Sequence, residues 1–256
     1  MISLGVDEIH LRLTFYDEID EDALHVYRAL LSEDETKQEL RFRFAKDRLQ
    51  YVVTRTLVRT TLSQYAEVRP KEWRFSRNAY GRPKIANVDA ISPELSFSIS
   101  HTQGLIVLGI TKHRSLGVDV ENVRARKISI DTANYFFSRA EVSDLARVPP
   151  DQQVDRFFEY WTLKESYIKA RGMGLSLPLD KFGFRYPRDN SVEIYIDPDL
   201  EDDAAGWQFW QFRPSADHLI AVCAERVSTQ SKIVSITVVP MQTEEIFTPT
   251  FLRVSK

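Results

Sequence analysis

Residues 4–15 read LGVDEIHLRLTF and residues 116–123 read LGVDVENV, and these two stretches set how the chain divides. The first alternates polar and apolar side chains with the period of a strand. The second opens with the same four residues, and each stretch is followed in turn by a long helical segment. A repeated strand-then-helix unit points to two related α/β halves in one chain.

After the first copy, residues 34–65 contain neither Gly nor Pro, and Leu40, Phe44, Leu57, Val58 and Leu62 recur at helical spacing. One long helix is expected there. Arg41, Arg48 and Arg55 fall at successive sevens, as one basic stripe. Gly81-Arg82-Pro83 marks a turn, and residues 94–110 read as two strands meeting near His101-Thr102-Gln103-Gly104. On the first of these, Phe97 and Ile99 share one face and Ser96, Ser98 and Ser100 the other.

Beyond the second copy, residues 122–153 are mixed and polar, with Arg124, Arg126 and Lys127 early, Phe136-Phe137 in the middle and Pro149-Pro150 as a break. A helix over 154–170 follows, stopped by Gly172 and Gly174. Val192, Ile194 and Ile196, then 207–212 and 219–223, read as further strands, and the tail from Val227 as an edge strand before a frayed end.

The composition excludes several classes of function. With 43% hydrophobic and 28% charged residues in 256, the chain can bury a real core. A net charge of -3 and a pI near 6.0 give no overall basic field for nucleic acid, so any phosphate chemistry must rest on local clusters. The single cysteine, Cys223 within an Ala-Val-Cys-Ala run, rules out a disulfide framework and reads as a buried structural thiol. No basic, apolar leader opens the chain, and no apolar run approaches the roughly 18 residues of a membrane span. A cytoplasmic protein is expected, with neither nucleic acid nor membrane as partner.

Two segments carry candidate chemistry. In Gly117-Val118-Asp119-Val120-Glu121 the strand period puts Asp119 and Glu121 on one face. Hard oxygen ligands at that spacing suit magnesium also held by substrate phosphates, although a solvent-facing strand end would carry the same residues. In the following helix Phe157, Phe158, Tyr160, Trp161, Leu163, Tyr167 and Ile168 cover a broad arc that also contains Lys164 and Glu165, with Lys169 at its edge. Unpaired buried charges are expensive, so these three need partners. An internal Glu165–Lys169 bridge at i,i+4 would serve as well as a functional site. Ser100-His101 is a poor nucleophile–base pair, because neighbours on an extended chain point to opposite sides. A histidine donating to phosphate fits better, with a capped loop histidine as the alternative.

The motifs Phe42-Arg43-Phe44-Ala45-Lys46-Asp47-Arg48, Tyr80-Gly81-Arg82-Pro83, Phe97-Ser98-Ile99-Ser100-His101, Gly117-Val118-Asp119-Val120-Glu121 and Trp161-Thr162-Leu163-Lys164-Glu165-Ser166-Tyr167-Ile168-Lys169 occur in this order. Together with Gly174 to Leu179, they make residues 35–185 resemble the larger, single-chain 4′-phosphopantetheinyl transferases that activate peptide and polyketide synthases. The resemblance implies an α+β fold of two similar α/β subdomains related by a pseudo-twofold, with the active site in the cleft between them. Assigned boundaries are 1–103 and 104–226, with a tail, 227–256, for which a return to the first subdomain is one arrangement.

The resemblance also implies transfer of 4′-phosphopantetheine from coenzyme A to a serine of an apo acyl or peptidyl carrier protein, releasing 3′,5′-ADP from a monomeric enzyme. Asp119, Glu121 and Glu165 would hold Mg2+, Ser100, His101 and Lys169 would face the coenzyme phosphates, and Gly81-Arg82-Pro83 would border the adenine. Asp119, Glu165 and Lys169 are then the catalytic residues, with Glu165, or a water it orients, as base and Glu121 as an alternative base. Where the family places Lys or Arg for the 3′-phosphate this chain has Glu35 and Gln38, leaving Lys37, Arg41 and Arg77 as candidates. Arg124, Arg126 and Lys127, with Phe136 and Phe137 as an apolar anchor, are candidates for docking an acidic carrier helix. A non-catalytic coenzyme A or nucleotide-binding regulator would need one of the acids lost, and none is missing.

Overall fold

Alternation produces the first strand, β1 (Glu8–Phe15), but both of its faces are covered. Ile9, Leu11 and Leu13 enter one core, while on the other face His10 Nδ1 and Arg12 Nη2 lie 2.8 and 2.9 Å from the Tyr65 hydroxyl. A computed structural model describes residues 1–17, 19–87, 95–125, 128–227 and 231–255. After β1 come α1 (Glu21–Arg28), α2 (Glu33–Arg41), α3 (Ala45–Leu62), the hairpin β2 (Phe75–Arg77) and β3 (Pro83–Ile85), then β4 (Leu95–Thr102), β5 (Leu105–Lys112) and β6 (Leu116–Asn122). The second half holds α4 (Ala133–Phe136), α5 (Arg139–Leu145), α6 (Gln153–Arg171), β7 (Phe182–Arg185), β8 (Glu193–Ile196), β9 (Trp207–Phe212) and β10 (His218–Glu225). The tail forms β11 (Lys232–Val239), β12 (Thr243–Phe247) and β13 (Phe251–Val254).

Two larger sheets result, ordered β12-β11-β1-β5-β4 and β13-β9-β10-β6. The chain passes from the first to the second in the turn after Lys112, so β5 pairs with β1 and β4, and the change of sheet falls beyond residue 103. Their facing sides share a core in which Leu11, Leu13 and Val107 meet Val118, Val120, Phe212 and Val222. Each sheet carries one long helix on its other side. Helix α3 buries Val53 and Leu57 against Ile106 and Leu108, and α6 buries Phe158 and Leu163 with Leu219 and Ala221. Mixed helix and sheet in this arrangement is the expected α+β class.

The four-residue match does not mark equivalent places. Leu116–Asp119 lies within β6, whereas residues 4–7 form the turn that precedes β1. The long helix expected over 34–65 is two helices, broken where Phe42 and Phe44 are extended at ψ 129° and 139°. Arg48 Nε closes the break by donating to the Phe42 carbonyl at 2.8 Å. No Gly or Pro announces a break that tertiary contacts make. Leu40 and Phe44, two of the residues that recur at helical spacing, are 67% and 56% exposed. The tail is also more than an edge strand. β11 runs parallel to β1 inside the first sheet, β12 is that sheet's edge, and β13 edges the second.

Helix α6 ends on Gly172, left-handed at φ 68°, and lies very close to β6. A Cβ on Gly117 would stand 1.9 Å from the Ser166 carbonyl oxygen and 2.4 Å from the Ala170 nitrogen, both helix backbone that cannot yield locally. Gly117→Ala should therefore lower the unfolding free energy by at least about 1–3 kcal/mol, read as a fall in the urea midpoint at constant m. A midpoint equal to wild type would show that the helix does not press on this glycine.

Candidate active site between the two sheets

Strands β4 and β6 are edges of different sheets, and their junction is made by side chains. The backbone N–H groups of Val118, Val120 and Asn122 donate to Ser98 Oγ, Ser100 Oγ and Thr102 Oγ1 at 3.0, 3.3 and 3.1 Å. Alternating hydroxyls on β4 thus match the alternating outward N–H groups of β6. Ser100 does more. Its hydroxyl donates to Asp119 Oδ1 at 2.9 Å and accepts from Lys169 Nζ at 2.8 Å, which completes one donor and two acceptor positions. Lys169 Nζ is itself 2.6 Å from Asp119 Oδ1.

The acids converge here from two elements. Asp119 and Glu121 leave β6 on the side that faces α6, and the Trp161 indole N–H donates to Glu121 Oε1 at 3.0 Å. Glu165 lies one turn after Trp161, and burial, then the Asp119 charge, push its carboxyl above the usual range against the pull of Lys169. Among the described residues no three His, Cys, Asp or Glu side chains yet close on one point. Asp119 Oδ2 is nonetheless buried without a hydrogen-bond partner. That orphaned oxygen, a carboxyl disfavoured by its acidic neighbour, and an all-oxygen donor set fit a hard divalent cation.

The remaining charges of α6 have separate, structural partners. Fully buried Lys164 Nζ is 3.0 Å from Glu141 and donates to the Leu179 and Phe182 carbonyls at 2.7 and 2.6 Å. Burial lowers its pKa, and Glu141 pulls the other way. Glu159 is 2.7 Å from Arg253 of β13, and Arg171 pairs with Asp202. Of the two readings left open by the sequence, the internal Glu165–Lys169 bridge gives way to Lys169 with Asp119 and Lys164 with Glu141.

A cleft opens beside this junction in two parts, of about 540 and 270 Å³, which share Gly81, Pro83, Ile99 and Lys169. The larger part adds Arg77, Ser100, His101, Asp119 and Glu121, and the smaller adds Arg82 and Glu165. The His101 ring opens onto the cleft, and burial, then Lys169, push its pKa down. Lys37 and Arg41 line neither part. Lys37 faces Asp34 at 3.9 Å and Arg41 donates to Gln38 at 3.3 Å, both on the outside of α2. Arg82 donates to the Ala170 and Leu116 carbonyls at 2.9 Å each, and Asn78 Nδ2 donates to the Gly172 carbonyl at 2.8 Å. The 78–83 turn is thereby clipped to the end of α6.

The stripe expected from Arg41, Arg48 and Arg55 is dispersed, since Arg48 closes the helix break and Arg55 turns to Glu35. On the acceptor side, Phe137 is 4% exposed and packs on Phe157 and Tyr160, which removes it as an anchor. Phe136 lies edge-on to Trp161. Arg124 is exposed and 3.7 Å from Asp155, while Arg126 and Lys127 lie outside the described residues. The role of Trp161 toward Glu121 was missed, although its place one turn before Glu165 on the same face was a usable signal.

Lys164→Met should cost about 3–5 kcal/mol of stability by leaving the Glu141 charge buried without its counter-ion, and adding Glu141→Gln, which removes the charge but keeps an acceptor for the Ser138 and Phe184 N–H groups, should restore most of it. Denaturation of the three proteins measures both. A single variant as stable as wild type would show that the pair does not hold α6.

Known proteins resemble the chain along most of its length. Residues 115–223 match the family model described as the 4′-phosphopantetheinyl transferase superfamily, and residues 19–113 match the model described as 4′-phosphopantetheinyl transferase, N-terminal. The two segments meet at the turn where the chain changes sheet. The 4′-phosphopantetheinyl transferase Sfp of Bacillus subtilis is 32% identical over 198 residues, which cover 77% of this chain and 84% of that protein. The 4′-phosphopantetheinyl transferase HetI of Nostoc sp. is 33% identical over 234 residues, 90% of this chain and 93% of that one. With the acids, Ser100 and Lys169 gathered where the two matched segments join, the chain belongs to the 4′-phosphopantetheinyl transferase superfamily.

Proposed function

We propose that the protein transfers 4′-phosphopantetheine from coenzyme A to the serine of an apo acyl or peptidyl carrier protein, releasing 3′,5′-ADP. The observation that carries this is the convergence of Asp119, Glu121, Glu165 and Lys169 around Ser100, beside a cleft whose lining includes His101 and Arg77. Asp119, Glu121 and Glu165 would hold Mg2+, which when bound would supply neutralisation of phosphate charge.

Phosphoryl transfer of this kind needs positioning and electrostatic stabilisation more than covalent chemistry. Glu165, or a water it orients, takes the proton of the carrier serine, with Glu121 as the alternative base. The freed oxygen attacks the phosphorus that bears the pantetheine, and the bond from that phosphorus to the ADP oxygen breaks. Lys169, held between Ser100 and Asp119, faces the oxygen that gathers charge. His101 can donate a ring N–H to phosphate; in the free site burial, then Lys169, lower its pKa.

The buried, free Cys223 thiol accords with a reducing, cytoplasmic setting. Among the described residues no helix is long and apolar enough to cross a membrane. The exposed guanidinium of Arg124, two residues past the end of β6, supports an acidic acceptor surface at that rim.

The decisive experiment incubates the protein with coenzyme A, magnesium and apo carriers and weighs each carrier for a gain of one phosphopantetheine. No gain on any carrier, with coenzyme A bound, would overturn the reading in favour of a binding protein. Asp119→Ala and Glu165→Ala should each remove about 2.7–4 kcal/mol of transition-state stabilisation, and near wild-type turnover in either would sink its assignment. Trp161→Phe keeps an aromatic ring, smaller than the indole, against Phe157 but loses the N–H to Glu121. It should slow turnover about tenfold, the loss of one charge-assisted hydrogen bond of about 1.5 kcal/mol. An unchanged rate would show that Glu121 needs no such support.

A further inference from the structure

The last turn of a helix leaves carbonyls without intrahelical donors, and at the end of α6 two of them are met by side chains from the other half of the molecule. The Gly172 N–H closes on the Ile168 carbonyl at 2.9 Å. The Ala170 carbonyl then receives Arg82 Nη1 at 2.9 Å, and the Gly172 carbonyl receives Asn78 Nδ2 at 2.8 Å. Both side chains come from the turn between β2 and β3. The approach is close, since a Cβ on Gly172 would stand 3.1 Å from Arg82 Cδ and Nη1. A guanidinium there also lies at the negative end of the α6 dipole.

Arg82 makes a second contact on a different element. Its Nη2 donates to the carbonyl of Leu116, the first residue of β6, at 2.9 Å. The N–H and C=O of one residue point to the same edge of a strand, and alternate residues share that edge. Leu116 therefore stands in line with Val118, Val120 and Asn122, whose N–H groups go to Ser98, Ser100 and Thr102, and Arg82 adds a fourth side chain to that row. One guanidinium thus joins α6, which carries Glu165 and Lys169, to β6, which carries Asp119 and Glu121. Lys169 is fixed at both ends, its Nζ by Ser100 and Asp119 and the carbonyl of the next residue by Arg82.

The turn that carries Arg82 holds its own shape. Asn78 Oδ1 accepts from the Tyr80 and Arg82 N–H groups at 2.9 Å each, and the Asn78 N–H donates to the Arg82 carbonyl at 2.9 Å. None of these bonds uses the guanidinium, so removing it cuts the tie to α6 and β6 while Gly81 and Pro83 keep their places in the cleft lining.

We infer that Arg82 is a positioning residue for phosphopantetheine transfer. By holding the Ala170 and Leu116 carbonyls together it sets the spacing of α6 and β6, and with it where Glu165 and Lys169 stand relative to Asp119 and Glu121. This role rests on the proposed transfer reaction. It departs from the part implied for Arg82 beside the adenine, because both terminal nitrogens already serve main-chain carbonyls. Arg82 does line the smaller part of the cleft, so direct contact with coenzyme A is the rival role, and it gives the opposite kinetic pattern.

Steady-state transfer to an apo carrier, calorimetric binding of coenzyme A and amide hydrogen exchange together test this. In Arg82→Met kcat should fall at least about tenfold, since a misplacement of about 1 Å made away from the chemistry can cost on the order of a hundredfold. The Kd for coenzyme A should stay within about twofold, as expected when ground-state binding is untouched. Amides around Gly172 and Leu116 should exchange faster than in wild type. Arg82→Lys keeps the charge but has one nitrogen in place of two separate ones, so its kcat should lie between the other two, at least about threefold below wild type. If Arg82→Met does not fold, that lysine variant decides the question. Wild-type kcat in the variants, or weakened coenzyme A binding at an unchanged kcat, would overturn the inference, the second by making Arg82 a ligand contact. Wild type that binds coenzyme A but modifies no carrier would instead overturn the transfer reading.

Discussion

The structure depends on how two sheet edges meet. A strand edge presents a row of N–H and C=O groups, and leaving those groups buried without partners is costly. Here β6 does not extend the first sheet by backbone pairing. Its N–H groups go to Ser98, Ser100 and Thr102 of β4. A side chain reaches farther than a carbonyl, so the two edges stand apart by the length of a hydroxyl-bearing side chain, and Asp119 and Lys169 have room beside them. Ser100 belongs to both roles at once, since it satisfies Val120 and orders Asp119 with Lys169. The seam that joins the halves and the site that lies between them are therefore one set of bonds.

Given that seam, α6 must lie close to β6 to bring Glu165 and Lys169 within reach, and Gly117 makes the approach possible. The helix is then fixed on its other sides by charges. Lys164 is held by Glu141, Arg171 by Asp202, and Glu159 by Arg253. The last of these comes from the tail, whose β11 and β12 complete the first sheet while β13 edges the second. The final residues thus act on the same helix that supplies two of the site's charges, although the tail lies beyond both family-matched segments.

Local chemistry was legible and long-range pairing was not. The acids at 119 and 121 show the strand period, and the α6 stop shows two glycines, so both could be read from neighbours in the chain. The serines of β4 were visible as one face, but which groups they would satisfy depends on an edge some 20 residues away. β11 pairs with β1 across more than 220 residues, and a partly alternating tail carries no mark of that partner. The helix break at Phe42 to Phe44 was invisible for a related reason. Contacts such as Arg48 with the Phe42 carbonyl oppose local propensity, and no Gly or Pro records their effect. Phe137 was misplaced because an aromatic pair in a polar stretch looks exposed, whereas its ring fills the core beside Phe157.

The distribution of charge explains how a chain of net charge -3 can present a site for phosphates. Two of the cations in the cleft lining are tethered to acids, Lys169 to Asp119 and Arg55 to Glu35. Each tether lowers the local field, so the cleft does not attract anions indiscriminately at long range. Each also fixes the direction of the cation, so little side-chain entropy remains to be lost when an anion arrives. His101 follows the same logic, because burial and Lys169 lower its pKa while its ring still offers a donor. The positions of those cations are set by Asp119, Glu35 and Ser100, which hold them.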